Sequence, residues 1–296
     1  MNLAKKIIRI RAIFAKKRTE MKKVYLVAVV VLVVSCRGGR QARIRDSVVG
    51  ETAFVSSVKT GESVSCMESF LPVTPSGVRE QVIEHEGYTV SFDSDVRLPN
   101  WVYWELTYEK AHGSVPRSDD FRPDPKVKGA QADVTDYRRS GWDRGHMAPA
   151  GDMKWSETAM SESCYFSNIC PQHGGLNGGD WRVLEEKCRS LTSMYDTLRI
   201  VCGPIVGDAV NGTIGTNKVV VPDGFYKVML TRKRGNYYSI GFIFTNTSGA
   251  DKELRDYACS INDVEALTGI DFFSSLSDDL EERIEAQCTL SDWNIK

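Results

Sequence analysis

The sequence is poor in histidine and has no long apolar segment. Only four histidines occur in 296 residues, and no Cys or His pairs have the spacing of a zinc knuckle, so a structural zinc site is not expected. A nucleophile elbow is also missing, which argues against a serine or cysteine hydrolase. The longest unbroken apolar run, Val24 to Val34, is too short to span a bilayer comfortably.

A strong net charge is missing as well. The formal net charge is −1, but residues 1–35 carry nine Lys or Arg against Glu20 alone, a net of +8 that leaves −9 for the rest of the chain. The body of the protein therefore has no basic field that would attract nucleic acid as a whole. A nucleic-acid role requires a local basic patch instead.

The N-terminal region has the pattern of an export signal. Met21-Lys22-Lys23 precedes the apolar run, and Ser35-Cys36 follows it. The cysteine directly after Val-Val-Ser resembles a bacterial lipoprotein box. This resemblance implies cleavage before Cys36, lipid attachment to its thiol, a membrane as partner, and export to the periplasm or the outer membrane. A plain signal peptide and an uncleaved anchor are the alternatives.

The flanking segments complete the predicted domain organisation. Residues 1–20 fit no signal pattern, so we expect Met21 to be the natural start and the first twenty residues to be a mistaken extension. Residues 37–81 are rich in Ser, Val, Gly, Thr and Glu without a sustained period, which predicts a flexible tether. The folded domain is then expected over residues 82–296.

Strand patterns dominate this domain. Gly87 to Phe92 and Trp101 to Tyr108 have strand patterns, and the second half continues with β-rich runs up to Thr245. Asp143 to Pro149 is predicted to be a strand end or turn, with Cys164 to Ile169 as its partner strand. Trp181, Leu184, Cys188 and Leu191 repeat with the spacing of one helix face. Further helical patterns lie at 156–161, 252–258, 262–267 and 278–287. On the helix that contains Trp181, Asn177 and Glu185 are eight residues apart, which is expected to place them on another face, about 12 Å apart along the axis. The sequence predicts an α+β domain with a central antiparallel-rich sheet flanked by helices.

Residues suited to polar catalysis are concentrated between Arg138 and Arg189. Three motifs stand in this region: Asp143-Arg144-Gly145-His146, then Asn168-Ile169-Cys170-Pro171-Gln172, then a run from Leu176 to Glu185 that includes Asn177 and Trp181. Together they contain a base, a fixed cation, several amides and a carboxylate. This set suits phosphodiester hydrolysis, in which a water is deprotonated, a metal is held and a developing negative charge is neutralised.

The three motifs, in this order and at this spacing, resemble those of the DNA/RNA non-specific endonucleases. This is the ββα-metal superfamily, which also contains mitochondrial endonuclease G. The resemblance extends from about residue 80 to the C-terminus, with further matches at Gly203-Pro204, Val219 to Pro222, Phe225-Tyr226-Lys227-Val228 and Leu267 to Phe273. It implies a ββα-metal nuclease domain that hydrolyses DNA and RNA with Mg²⁺, for which Mn²⁺ can substitute.

The resemblance and the chemistry of the residues together predict individual roles. His146 is expected to be the general base and Asn177 the direct metal ligand, with Glu185 and Asp143 holding the metal through waters. Asn168 and Gln172 are expected to orient the loop and the metal waters, with Gln172 also near the substrate. A structural turn role is their alternative.

Arginines are expected to bind the phosphate and its transition-state charge. Arg144 is one of them, and the family places another in the loop from Arg117 to Pro125. Arg117 is the first choice, while Arg122 remains open. Arg138 and Arg139 are expected to extend the phosphate-binding patch around Arg144.

Two alternative functions remain open at this point. A catalytically inactive lipoprotein could keep the fold and bind nucleic acid or a protein partner. A serine or cysteine hydrolase is the third reading, and the missing elbow disfavours it. A second copy of the chain, forming a homodimer, is a further expected partner.

Overall fold

The computed structural model describes residues 70–207, 211–248 and 253–296. The predicted extension at 1–20, the signal at 21–36 with Cys36, and most of the tether lie outside the described residues. No helix in the described ranges has the length and apolar content needed to cross a membrane.

Eleven strands occur in the described part of the chain. They are β1 (Gln81–Glu84), β2 (Thr89–Asp93), β3 (Leu98–Thr107), β4 (Asp143–His146), β5 (Ile169–Gln172), β6 (Thr197–Ile205), β7 (Thr213–Ile214), β8 (Val219–Val220), β9 (Gly224–Lys233), β10 (Asn236–Thr245) and β11 (Ala258–Cys259).

The α-helices are short. They are α1 (Tyr108–Ala111), α2 (Val134–Tyr137), α3 (Glu157–Glu162), α4 (Arg182–Leu191), α5 (Ile261–Thr268) and α6 (Asp278–Glu285). A π-helical segment, Leu176–Trp181, leads into α4. The 3₁₀ turns are Ala150–Asp152, Phe166–Asn168, Leu254–Asp256 and Leu290–Trp293.

The core is one seven-stranded sheet with the order β1-β2-β3-β6-β9-β10-β11, and each neighbouring pair is antiparallel. Every residue of β9 from Gly224 to Thr231 is buried. Because successive side chains of a strand point to opposite sides, both faces of β9 are covered. Phe225 faces Trp181, which precedes α4, and Tyr226 faces Phe272, which follows α5. The predicted α+β class, with an antiparallel sheet between helical layers, is confirmed.

The strand–strand–helix unit also has the predicted order. β4 and β5 form a separate antiparallel ribbon, with Asp143 opposite Gln172 and His146 opposite Ile169, and the helical segment follows. The predicted partner strand, 164–169, was wrong in position. Phe166–Asn168 is a 3₁₀ turn and β5 begins at Ile169, because Asn168 bonds across to the backbone of Ala148 instead of extending the strand.

The predicted buried face of the main helix is confirmed. Trp181, Leu184, Cys188 and Leu191 are each at most 1% exposed. Trp181 packs against the rings of Phe225 and Phe244, with centroid distances of 5.7 and 5.6 Å. The helix that follows the second motif is therefore held rigidly on the central sheet.

One domain boundary and one helix differ from the predictions. Phe70 is buried under the Arg199 guanidinium, and Val73 pairs with Asp271 through backbone hydrogen bonds. Residues 70–81 therefore belong to the folded domain, and the tether does not extend to residue 81. The helix predicted over 252–258 was also wrong: from residue 253 onward the chain forms one 3₁₀ turn, Leu254–Asp256, and then β11.

Candidate active site

A polar cavity of about 460 Å³ lies beside the β4–β5 ribbon. Its lining combines three arginines, two acids, one amide and four apolar or aromatic side chains: Arg117, Arg138, Arg144, Asp119, Asp143, Asn177, Phe121, Val134, Tyr137 and Trp142. The cavity therefore joins the Arg117 loop, α2, β4 and the π-helical segment.

The β4–β5 ribbon is tight because of one close approach. A Cβ on Gly145 would lie 2.3 Å from Oε1 and 2.6 Å from Cβ of Gln172, so only glycine fits opposite this side chain. Gln172 is fully buried, and neither atom of its amide has a hydrogen-bond partner among the described residues. Gln172 thus packs within the ribbon and does not line the cavity.

His146 stands at the end of β4 with its ring against Phe121, at a centroid distance of 5.4 Å. It is 6% exposed, and Nε2 has no hydrogen-bond partner among the described residues. Burial, as the largest cause, and the positive charges of Arg117 and Arg144 together lower the pKa of His146 to about 3. The imidazole is therefore neutral at neutral pH and is able to accept a proton.

Arg117 and Arg144 bring positive charge to the cavity. Arg144 lies over the Phe121 ring, 4.0 Å from its centroid, and its Nη2 is 3.6 Å from Asp119 Oδ1. Arg117 is exposed and close enough to influence His146. Of the two neighbouring arginines predicted to contact the nucleic acid, Arg138 lines the cavity, whereas Arg139 is exposed and outside its lining.

Arg122 has a different environment. Its guanidinium donates to the backbone oxygen and the hydroxyl of Ser161, at 3.1 and 2.8 Å, pairs with Asp120 at 2.8 Å, and lies 4.3 Å from the Tyr165 ring centroid. These contacts attach the loop to α3 and its following turn. Of the two loop arginines left open by the sequence, the structure places Arg117 at the cavity.

Asn177 and Asp143 meet at the cavity wall. The Asn177 amide nitrogen donates to Asp143 Oδ2 at 3.1 Å, which leaves the amide oxygen to face a cation. Asn177 sits in the π-helical segment, and Gly179 interrupts the helical geometry with φ −107° and ψ −114°. A straight helix from Asn177 to Glu185, about 12 Å along the axis, was therefore the wrong geometry. Such π-helical turns occur often at functional sites.

Glu185 lies on α4, partly buried, above a layer of buried charges. Its pKa is raised to about 7, because burial and the negative charge of Asp152 outweigh the opposing positive charges of Lys227 and Arg189. Arg117 is also close enough to lower the pKa. The carboxylate is thus coupled to the same arginine that lowers the pKa of His146.

The buried layer itself was not predicted. Asp152 accepts hydrogen bonds from Arg189 at 2.8 Å and from Trp104 at 3.0 Å. Lys227 is completely buried, with Nζ 4.9 and 4.4 Å from the ring centroids of Trp104 and Trp181. A single lysine within an apolar strand does not form a pattern that predicts a buried charge. The match of Phe225-Tyr226-Lys227-Val228 to the family was the only indication in the sequence that Lys227 has a special position.

Asn168 is occupied by backbone contacts. Its Nδ2 donates to the carbonyls of Ala148 and Ser163, both at 2.9 Å, and its Oδ1 accepts from the Ala148 amide at 2.8 Å. The side chain is fully buried. The structure gives Asn168 the turn role that was its alternative, because it fixes the backbone that follows His146.

Several lining residues were not singled out from the sequence. Asp119 and Phe121 lie in the predicted arginine loop, Val134 and Tyr137 lie on α2, and Trp142 directly precedes the first motif. Their positions near the motifs were the available signal. Phe121, Val134 and Trp142 carry no catalytic group, and neither Asp119 nor Tyr137 stands in one of the three motifs, so the sequence pattern did not distinguish these five from ordinary loop or core residues.

The donor set fits a hard cation that keeps most of its waters. Among the described residues, no group of three or more His, Cys, Asp or Glu could hold a metal. The Asn177 amide oxygen beside the Asp143 carboxylate is the oxygen-donor arrangement that magnesium accepts. Glu185 lies on the following helix, where it could accept hydrogen bonds from metal waters.

Comparison with known proteins gives consistent results. The family model for DNA/RNA non-specific endonucleases matches residues 68–279. Nuclease EXOG, mitochondrial, of Xenopus laevis is 35% identical over 223 residues, which cover 70% of this chain and 61% of that protein. This chain thus spans less than two thirds of that relative. Nuclease C1 of Cunninghamella echinulata var. echinulata is 35% identical over 224 residues, which cover 71% of this chain and 89% of that protein.

A solved structure also resembles the fold. In the crystal structure of the EndoG/EndoGI complex, the matching chain has a TM-score of 0.63 and 32% identity, with 67% of this chain and 88% of that chain covered. The family model covers more than half of the sequence, and the strand–strand–helix unit carries the motifs. The chain therefore belongs to the DNA/RNA non-specific endonuclease family.

Proposed function

We propose that this protein is a metal-dependent endonuclease that hydrolyses phosphodiester bonds in both DNA and RNA. The observation that carries the proposal is the buried, neutral His146 with its unpartnered Nε2. Its ring packs against Phe121 of the cavity wall, and Arg117 and Arg144 of the same cavity are close enough to lower its pKa. Relatives named as nucleases support the same activity.

In this proposal His146 takes the proton from the attacking water, because its imidazole is neutral and its Nε2 has no competing partner. Arg117 and Arg144 bind the phosphate oxygens and stabilise the charge that develops on them. Arg122, the other loop arginine, donates hydrogen bonds to Ser161 and pairs with Asp120, so it holds the loop in place.

Asn177 would hold the cation, with Asp143 and Glu185 hydrogen-bonded to its waters. A bound Mg²⁺, or Mn²⁺ in its place, supplies charge neutralisation at the phosphate. Asp143 also orients the Asn177 amide, since it accepts the hydrogen bond from the amide nitrogen. Asn168 contributes by holding the backbone after His146 in place.

Substrate contacts are proposed to go mostly to phosphates, through the cavity arginines Arg117, Arg138 and Arg144. Such contacts do not read base sequence. Cleavage is therefore expected to be nearly independent of sequence and to weaken as the salt concentration rises.

Incubation of purified protein with supercoiled plasmid and with structured RNA tests the proposal. Nicking and RNA cleavage are expected with Mg²⁺ and should disappear with a chelator. Binding of either nucleic acid without cleavage, at any metal concentration, would favour the inactive lipoprotein instead. Cleavage confined to one short sequence would contradict the phosphate-based contacts.

A further inference from the structure

The cavity has an apolar side that phosphate binding does not use. Four of its lining residues are apolar or aromatic: Phe121, Val134, Tyr137 and Trp142. Two of them are already covered. The face of Phe121 carries the Arg144 guanidinium, and Tyr137 stacks on Phe166 at a centroid distance of 5.4 Å and 16°.

Val134 and Trp142 are covered less completely. Val134 is 37% exposed. Trp142 is partly buried, and the ring contact it makes among the described residues is edge-on, with His173 at 6.2 Å and 84°. These two residues therefore leave apolar surface in the same cavity as the arginines.

The position of this surface relative to the polar groups is defined by the chain. Trp142 directly precedes Asp143 and Arg144 on β4, and Asp143 contacts Asn177. A phosphate held by Arg144 thus has apolar surface beside it. The chemical group that is covalently close to a phosphate and presents a flat apolar face is a nucleobase, and bases stack on aromatic side chains without regard to sequence.

We propose that Trp142 and Val134 form a packing wall for one unpaired nucleobase next to the scissile phosphate. This inference rests on the proposed nuclease function and adds substrate form to it. A base within a duplex is stacked on its neighbours and paired, so it must leave the stack to reach the wall, at an energetic cost. The wall consequently favours single-stranded or locally unpaired nucleic acid over intact duplex.

The test uses single-stranded oligonucleotides in which one phosphodiester is cleavable and the others are methylphosphonates. One substrate has all its bases, and two others have an abasic residue on the 5′ or the 3′ side of the cleavable bond. Wild type, Trp142→Ala and Trp142→Phe are compared by kcat/KM with Mg²⁺. Tyr108→Ala is the matched control, since Tyr108 is an aromatic residue, 50% exposed, outside the cavity lining.

For the wild type, removal of the base on one side should lower kcat/KM by roughly 5- to 150-fold, the equivalent of one base–aromatic stack. Trp142→Ala should show a similar loss on the intact substrate and almost no further loss on that abasic one. Trp142→Phe should keep most of the discrimination, and Tyr108→Ala all of it. Thermal unfolding of each variant separates these losses from a folding defect.

Three results would overturn the inference. The first is equal cleavage of the intact and both abasic substrates by the wild type. The second is a loss of the same factor on all three substrates by Trp142→Ala, which would assign the tryptophan to the framework next to β4. If Trp142→Ala is unfolded, equal cleavage of intact and abasic substrates by Trp142→Phe would have the same meaning. Absence of cleavage by the wild type of all three substrates and of the same oligonucleotide with only phosphodiester bonds would instead contradict the proposed nuclease function, and cleavage of the last alone would overturn the base-packing wall as a main contact.

Discussion

The low pKa of His146 has a consequence for stability that can be measured without substrate or metal. The pKa is about 3 in the folded protein and about 6.5 in an unfolded chain. Below pH 6.5 the unfolded state therefore binds a proton that the folded state does not bind. The contribution of His146 to the free energy of unfolding is fully present above pH 6.5 and is lost progressively as the pH falls towards 3.

The size of the effect follows from this difference. Each pH unit between the two pKa values lowers the free energy of unfolding by about 1.4 kcal/mol. From pH 7.5 to pH 4.5 the expected loss from this residue is about 3 kcal/mol. That is a large part of the total stability of a typical domain.

The measurement is urea unfolding in the presence of a chelator at several pH values, for wild type and for His146→Gln. Other titrating groups, including the buried carboxyls, affect both proteins and cancel in the difference. The stability difference between the two proteins should be constant above pH 6.5 and should shift by about 3 kcal/mol against the wild type by pH 4.5. A difference that does not change with pH would refute the buried, neutral state of His146.

Two further predictions concern the loop arginines and the N-terminus. Arg117→Ala should lower kcat by about 10²–10³-fold, as loss of a charge-stabilising donor does, with little change in urea unfolding. Arg122→Ala should instead lower the free energy of unfolding by about 1–3 kcal/mol, because the Ser161 contacts are lost, and the opposite pattern would reverse their roles. We also propose that Cys36 is lipidated, so Cys36→Ser should move the protein from membranes to the soluble fraction with its nuclease activity intact; unchanged fractionation with membranes would contradict this.

Several features could be predicted from the sequence because their signals are local. The helix face of Trp181, Leu184, Cys188 and Leu191 follows from periodicity, since each apolar residue returns to the same side after one or two turns. The motif around His146 could be recognised because its residue types, and those of the two motifs that follow it, stand at fixed positions along the sequence. These signals need no knowledge of which distant segments come together.

Other features depend on contacts that no local pattern records. Lys227 occupies a position that reads as the middle of an apolar strand, and its burial between Trp104 and Trp181 requires three separate elements to meet. The kink at Gly179 interrupts the straight helix expected from Asn177 to Glu185, and the sequence could not predict it because two adjacent glycines are compatible with a straight or a bent helix. The sequence indicates which catalytic groups are present, whereas their arrangement in space depends on tertiary packing.

The apolar side of the cavity shows the same limit. Trp142 precedes the first motif and reads as an ordinary strand residue. Its position becomes informative only when it is found to line the same cavity as Val134, which lies on α2. Segments of unremarkable composition can therefore determine substrate form, while the motifs determine reaction type.

The central claim is that His146 acts on the water and Asn177 acts on the metal. Titration of Mg²⁺ in a plasmid-nicking assay, with wild type, His146→Ala and Asn177→Ala, separates these roles most directly. His146→Ala should lose about 10²–10⁴-fold in rate at every Mg²⁺ concentration, whereas Asn177→Ala should need more Mg²⁺ and recover part of its rate at high concentration. Recovery of His146→Ala by Mg²⁺, without recovery of Asn177→Ala, would contradict both assignments.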